Sequence, residues 1–195
     1  ILTIKYSASG TEEWTARYAG NPNREDTAVD IANDAAGNVV VFGMDNDEFL
    51  TVKYNGEGIE QWVRRYVSNG LPIAMAIAVD ATIVVVGGGN EGMKTVKYTP
   101  DGGELWVAQY PENRHENAVA TDVVLDAAGN VYVTGWAQGQ WRNRDYATIK
   151  YNLEGEQVWL AFFDNPDKDD QEDQAVGIAL HGASEIIVAG TTHLS

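Results

Sequence analysis

The sequence predicts an all-β fold: a β-propeller of four blades, four antiparallel strands to a blade, with one blade shared between the two ends of the chain. Three observations carry this. First, one frame recurs four times. Tyr6, Tyr54, Tyr98 and Tyr151 are each followed eight positions later by Trp14, Trp62, Trp106 and Trp159, and four positions later again by Tyr18, Tyr66, Tyr110 and Phe163. The Tyr-to-Tyr steps, roughly 44 to 53 residues, match the length of a propeller blade. Second, each unit breaks into four short β-rich segments separated by turn residues. Third, the ends are complementary half-units. Residues 1–18 supply a third and fourth strand, and residues 175–190 a first and second.

The third unit shows the pattern most clearly. Ala120 to Asp126 alternates as a strand does, and Ala127-Ala128-Gly129-Asn130 turns. Val131 to Gly135 is the second strand, and a long loop from Trp136 to Tyr146 leads to the third, Ala147 to Tyr151. Asn152 to Glu156 turns into the fourth, Gln157 to Phe163. The first full unit repeats this over residues 28–66 and the second over 74–110. The second reads as shorter by two residues, since Asp80 to Gly87 spans seven steps where Asp126 to Gly135 spans nine. A tighter first hairpin is expected there. The last blade, 175–190 with 1–18, closes a single domain of 195 residues and hides the edge strands that would otherwise invite aggregation.

Alternation puts Trp106, Ala108 and Tyr110 on one face of the fourth strand, where a Trp in every unit would wedge against the next blade. The first strand is kept small by Ala28, Ala32, Ala74, Ala76, Ala78, Ala120, Ala175, Gly177 and Ala179, as crowding at a ring axis requires.

Composition narrows the function classes. The net charge is −16, from 29 acidic and 13 basic residues. Nucleic acid is disfavoured, because its binding rests on Lys and Arg. The apolar runs Val39–Phe42 and Ile83–Val86 are too short to span a bilayer, so no membrane insertion is expected. No Cys is present, which excludes disulfides and thiolate chemistry. The chain opens at Ile1 inside a repeat, as a processed or trimmed start would.

Gly129-Asn130-Val131-Tyr132-Val133-Thr134-Gly135, Asp145-Tyr146-Ala147-Thr148-Ile149-Lys150-Tyr151 and Trp106-Val107-Ala108 resemble the bacterial SBBP repeat, named for seven-bladed propellers. The resemblance covers nearly the whole chain. It implies the propeller fold and a secreted or cell-surface bacterial protein, and it implies no particular activity. Four units in place of seven leave two arrangements: a closed four-bladed monomer, which the split ends favour, or half of an eight-bladed ring made by two chains.

The short turns lie at one end of such a ring and the variable loops at the other. Function tends to live on variable loops held by a rigid frame. The long loop of the third unit carries Trp136, Trp141, Arg142, Arg144 and Tyr146, aromatic planes beside guanidinium groups that suit a sugar ring or a peptide. These are the candidate ligand-binding residues. Asp30 and Asp122 hold equivalent positions in the first strands of the first and third units, with Ala76 and Gly177 at that position elsewhere. Facing each other across an axis, they would hold a cation such as calcium or magnesium, or an ordered water; the alternative is that each accepts backbone N–H bonds from an adjacent loop, as buried carboxylates must. The acidic loop Asp164 to Asp173 is a second place for a hard cation, without the spacing of a helix-loop-helix calcium site.

No catalytic motif emerges. His115, His181 and His193 stand in unrelated settings, and Gly87-Gly88-Gly89 is not followed by the Lys and Ser or Thr of a phosphate loop. The expected function is a non-catalytic binding or scaffold propeller for a protein or glycan ligand. The alternative is a hydrolase or lyase with carboxylates and a His at the mouth of the ring.

Overall fold

The computed structural model describes residues 1–20, 26–46, 48–68, 70–78, 80–111, 117–138, 143–164 and 172–192. Among these residues the chain is all-β. A two-stranded hairpin, β1 (Leu2–Tyr6) and β2 (Glu12–Arg17), comes first. Three four-stranded antiparallel meanders follow: β3 (Asp26–Asn33) to β6 (Glu60–Val67) through β4 (Val39–Asp45) and β5 (Glu48–Tyr54); β7 (Leu71–Ile77) to β10 (Glu104–Tyr110) through β8 (Ile83–Gly89) and β9 (Gly92–Tyr98); and β11 (Ala118–Leu125) to β14 (Gln157–Phe163) through β12 (Val131–Gln138) and β13 (Arg144–Tyr151). The hairpin of β15 (Gln174–His181) and β16 (Glu185–Thr191) ends the series. Successive first strands β3, β7, β11 and β15 lie side by side, the radial order of a propeller-type arrangement.

The core lies between the meanders. Ala16 and Tyr18 of the first hairpin pack on Val41, Leu50, Val52 and Tyr54. Val40, Phe42, Phe49 and Trp62 meet Met75, Ile83, Val85, Val96 and Tyr98. Val84, Val86, Met93 and Trp106 meet Val123, Val133, Ile149 and Tyr151. Each blade buries its apolar face against the next, so no blade is stable alone.

Every strand-one has a β-bulge: the register shifts at Ala28/Asp30, Pro72/Ala74, Ala120/Asp122 and Ala175/Gly177. The bulge pushes a carbonyl at the end of strand two, and this explains the glycine that closes each strand-two run. A Cβ on Gly43, Gly87 or Gly135 would sit 2.0 Å from the oxygen of Thr27, Leu71 or Val119. Gly88 and Gly89 have a related use. There the backbone of β8 pairs with Val119 and Ala118 of β11, hydrogen-bonding the second blade's sheet to the third.

Two expectations about the chain are corrected. The first hairpin of the second unit is not shortened. Ala78 N–H bonds Thr82 O and Ala81 N–H bonds Ala78 O, the pattern of Asp34 with Asn38 and Gly37 with Asp34. Ala78 therefore holds the place of Asp34, and Asp80 lies two positions further on, where it accepts from Thr82 N and Thr82 Oγ1. Ala81 takes the left-handed backbone, φ 63°, that Gly37 has elsewhere. The counterpart of Asp30 is then Ala74 and not Ala76. The second correction concerns the ends: β1–β2 and β15–β16 form separate sheets, and residues 1–18 and 175–190 do not join into one blade. Leu2, Ile4, Tyr6 and Ile187 are correspondingly exposed.

No helix among the described residues is long and apolar enough to cross a membrane.

Candidate functional site

The variable loops leave β12 and enter β13 at the end of the blades opposite the short turns. The ladder between these strands runs to its last pair, Gln138 with Arg144, and sets Trp136 opposite Tyr146. Side chains two apart share a face, so Arg144 lies diagonal to Trp136 on the face that also carries Tyr146. The guanidinium carbon of Arg144 sits 4.2 Å from the Trp136 ring centroid, a close cation–π stack. Tyr146 packs at 5.4 Å against Phe163 of β14, and its hydroxyl lies against Gly190 of β16. Three of the five predicted ligand residues are thus brought together. Trp141 and Arg142 lie outside the described residues, as do most of the acidic loop, His115 and His193.

Acidic groups converge beside this platform. Asp173 is 1% exposed, and its N–H donates to Arg144 O at 2.6 Å. Glu172 reaches the Arg144 guanidinium at 3.6 Å, a surface pair that contributes little. Burial, with the neighbouring charges of Asp164 and Asp173, holds the Asp145 carboxyl above the usual carboxylate range. Burial and Asp173 likewise raise the Tyr146 phenol. The Arg144–Trp136 pair thus stands on one face of β13, and the Asp145 carboxyl stands on the other.

Asp30 and Asp122 both accept backbone N–H bonds, the second of their two expected uses. Asp30 accepts from Ile31 N with one oxygen and from Met75 N of the next blade with the other, both at 2.8 Å. Asp122 does the same with Val123 N at 2.8 Å and Ile178 N at 2.9 Å. Each carboxylate staples its bulge to the first strand of the following blade. Among the described residues no cluster of three or more His, Asp or Glu converges as a metal set. Asp122→Ala should therefore cost roughly 1.5–3 kcal/mol, the worth of hydrogen bonds to a charged group, and Asp122→Asn less. Thermal melts with and without calcium check the assignment. A calcium-dependent rise in the melting temperature of the wild type, absent from D30N/D122N, would mean the pair holds a cation instead.

Sequence reasoning missed one polar feature at the short-turn end. A Lys precedes each frame Tyr, at Lys5, Lys53, Lys97 and Lys150. Lys53 is buried, 3.1 Å from Asp34 and 3.1 Å from Pro100 O of the next blade. Repetition was the available signal. His181 is also at this end, 2.8 Å from Glu185 and exposed, well away from the loop-face carboxylates.

No family model and no curated protein matches the sequence. The resemblance to the SBBP repeat is thus without a family match. Solved structures do resemble the fold. A protein of unknown function from Bacteroides caccae superposes with a TM-score of 0.55 at 12% identity, over 96% of this chain and 64% of that chain. A catalytically inactive virginiamycin B lyase from Staphylococcus aureus, solved with quinupristin, gives 0.41 at 11% identity, over 95% and 82%. The first likeness shows that the fold recurs in a solved structure and carries nothing about activity.

Proposed function

We propose that this chain is a binding propeller whose loop face at the third blade takes a protein or glycan ligand, with Trp136, Arg144 and Tyr146 as its contact surface. The observation that carries the reading is the Arg144 guanidinium held over the Trp136 ring, 4.2 Å from its centroid. A stacked pair is already ordered, so less side-chain entropy is lost when a sugar ring or a peptide carbonyl docks on it. Exposure on the bacterial cell surface or secretion fits such a role.

A glycan array and a peptide library screened on the wild type test this, with hydrolase and lyase panels run beside them. Trp136→Ala and Arg144→Ala should each weaken the selected ligand by at least about tenfold, near 1.4 kcal/mol. Asp145→Asn separates binding from folding. A carboxyl raised in the folded state opposes folding once it ionises, so its removal should stabilise the protein at neutral pH, with the gain vanishing below the ordinary value of 3.8. An Asp145→Asn variant that is more stable and binds like the wild type would keep the contact surface on the Trp136 face. Turnover abolished by Asp145→Asn, or binding indifferent to Trp136→Ala and Arg144→Ala, would refute the proposal.

A further inference from the structure

Three interfaces between blades share one plan, and its two halves recur at the hairpin β1–β2 and at β14. Each strand-four Trp donates its indole N–H to the second residue of the next blade's short turn: Trp14 to Gly56 O at 2.8 Å, Trp62 to Pro100 O at 3.0 Å, Trp106 to Leu153 O at 2.9 Å. The fourth residue of each turn, Gly58, Gly102 or Gly155, lies flat on that indole. An added Cβ would meet the ring at 2.6–2.7 Å. The turn from Ser7 to Gly10 has the same hydrogen bonds, Ser7 N to Thr11 O and Gly10 N to Ser7 O, and Gly10 has the same left-handed backbone, φ 82°. A Cβ added at Gly10 would meet nothing within 4 Å. At the far end Trp159 is half-buried and packs on Tyr132 at 6.1 Å. One end presents the turn and the other the indole.

The strand edges match in the same way. Strand two pairs with strand three as Val39 with Tyr54, Val41 with Val52 and Gly43 with Leu50. By their place in the repeat, Ile186, Val188 and Gly190 of β16 correspond to Val39, Val41 and Gly43, while Tyr6, Ile4 and Leu2 of β1 correspond to Tyr54, Val52 and Leu50. Leu50 and Val52 are fully buried, whereas Leu2 and Ile4 are 45% and 37% exposed. Beside β16 runs a groove of about 540 Å³ lined by Tyr146, Phe162, Phe163 and Val188. Beside β1 runs one of about 270 Å³ lined by Leu2, Ile4, Ile31 and Val41. Lys5 corresponds to Lys53, and the hairpin it would meet carries His181 in the place of Asp34 and Glu185 in the place of Asn38.

We propose that β16 of one copy of this chain takes β1 of a second copy as its next strand, in the register Ile186 with Tyr6, Val188 with Ile4 and Gly190 with Leu2. Trp159 of the first copy then caps the Ser7–Gly10 turn of the second through Ala8 O. The occupant is a second copy because within one chain the two hairpins stand as separate sheets. The contact is head-to-tail, and used twice about a two-fold axis it closes a ring. Two chains of three full blades and two half-blades each make eight blades.

The test uses the absence of native Cys. Light scattering on the 195-residue chain should give twice 21.2 kDa. Ile4→Cys and Val188→Cys chains, mixed and oxidised, should give a one-to-one covalent dimer that neither forms alone. Ile4→Cys mixed with Ile186→Cys, out of register, should give much less. Trp159→Ala should raise the dimer dissociation constant roughly thirtyfold, the loss typical of a buried Trp anchor. A single-chain mass at all concentrations would overturn the proposal. So would a disulfide that forms only within one chain carrying both Ile4→Cys and Val188→Cys, because the ring would then close on itself with four blades.

Discussion

Trp106→Ala should destabilise the protein by about 3–5 kcal/mol, and Trp62→Ala by a similar amount. Both are 9% exposed, and both do two jobs. The ring fills the space between blades, against Tyr151 at 5.8 Å for Trp106 and Tyr98 at 6.3 Å for Trp62. The indole N–H satisfies a carbonyl in the next blade's turn, which truncation would leave facing a cavity. A urea titration of each variant at matched protein concentration measures the loss. Trp106→Phe separates the two jobs, since it keeps ring volume and gives up the N–H, and should recover most of the stability. Losses below about 1 kcal/mol for both alanine variants would mean the blades are held by their edges and not by the wedges.

Lys53→Ala should cost about 3 kcal/mol, at the low end for breaking a buried ion pair. The Lys53 and Asp34 side chains are 6% and 3% exposed, and the ammonium also bonds Pro100 O across the interface. Asp34 keeps its bonds from Ala36 N, Asn38 N and Asn38 Nδ2, which softens the loss. Burial acts to raise the Asp34 carboxyl, but the Asn38 and Lys53 hydrogen bonds outweigh it and leave the group below its ordinary value. The folded state therefore favours the ionised form. This stability is present above pH 3.8, the ordinary value, and is lost as the pH falls through the depressed one. The gap between wild type and Lys53→Ala should be full at neutral pH and shrink in acid. Melting curves across pH 2–7 check it, and a gap independent of pH would assign the loss to the packing of the lysine stem.

Much of the architecture was legible because repetition displays the packing rule four times. The frame Tyr, Trp and aromatic marks strands three and four of each unit. The glycines ending Val39–Gly43 and Val131–Gly135 mark strand two, and the structure gives them a steric reason that the sequence does not state. The second unit was misread because Asp80 imitates Asp34 two positions out of place, while Ala81 adopts a left-handed backbone without being glycine. A side-chain match there misled where backbone hydrogen bonds decide. Of the candidate site, the long segment between Gly135 and Ala147 was visible as the odd one out, although its ends extend β12 to Gln138 and begin β13 at Arg144, which places Trp136, Arg144 and Tyr146 on strands and not in a loop. The stack of Arg144 on Trp136 was not, because a diagonal cross-strand contact depends on register.

The sequence by itself determined the blade. Alternation, turn glycines and one Trp per unit are local patterns, and local patterns suffice to specify a meander and the face it buries. Only the tertiary structure decided what the blades do to one another. It showed Asp30 and Asp122 acting as staples, each reaching a backbone amide of the next blade that comes close only when adjacent first strands pack. It also left the two half-blades as separate sheets, although their strands are complementary in sequence. Complementarity of two edges is a property of pattern, but whether they meet depends on the angle accumulated over three blade interfaces. That angle is set by how Trp, Tyr and the small first strands pack, and no single residue encodes it.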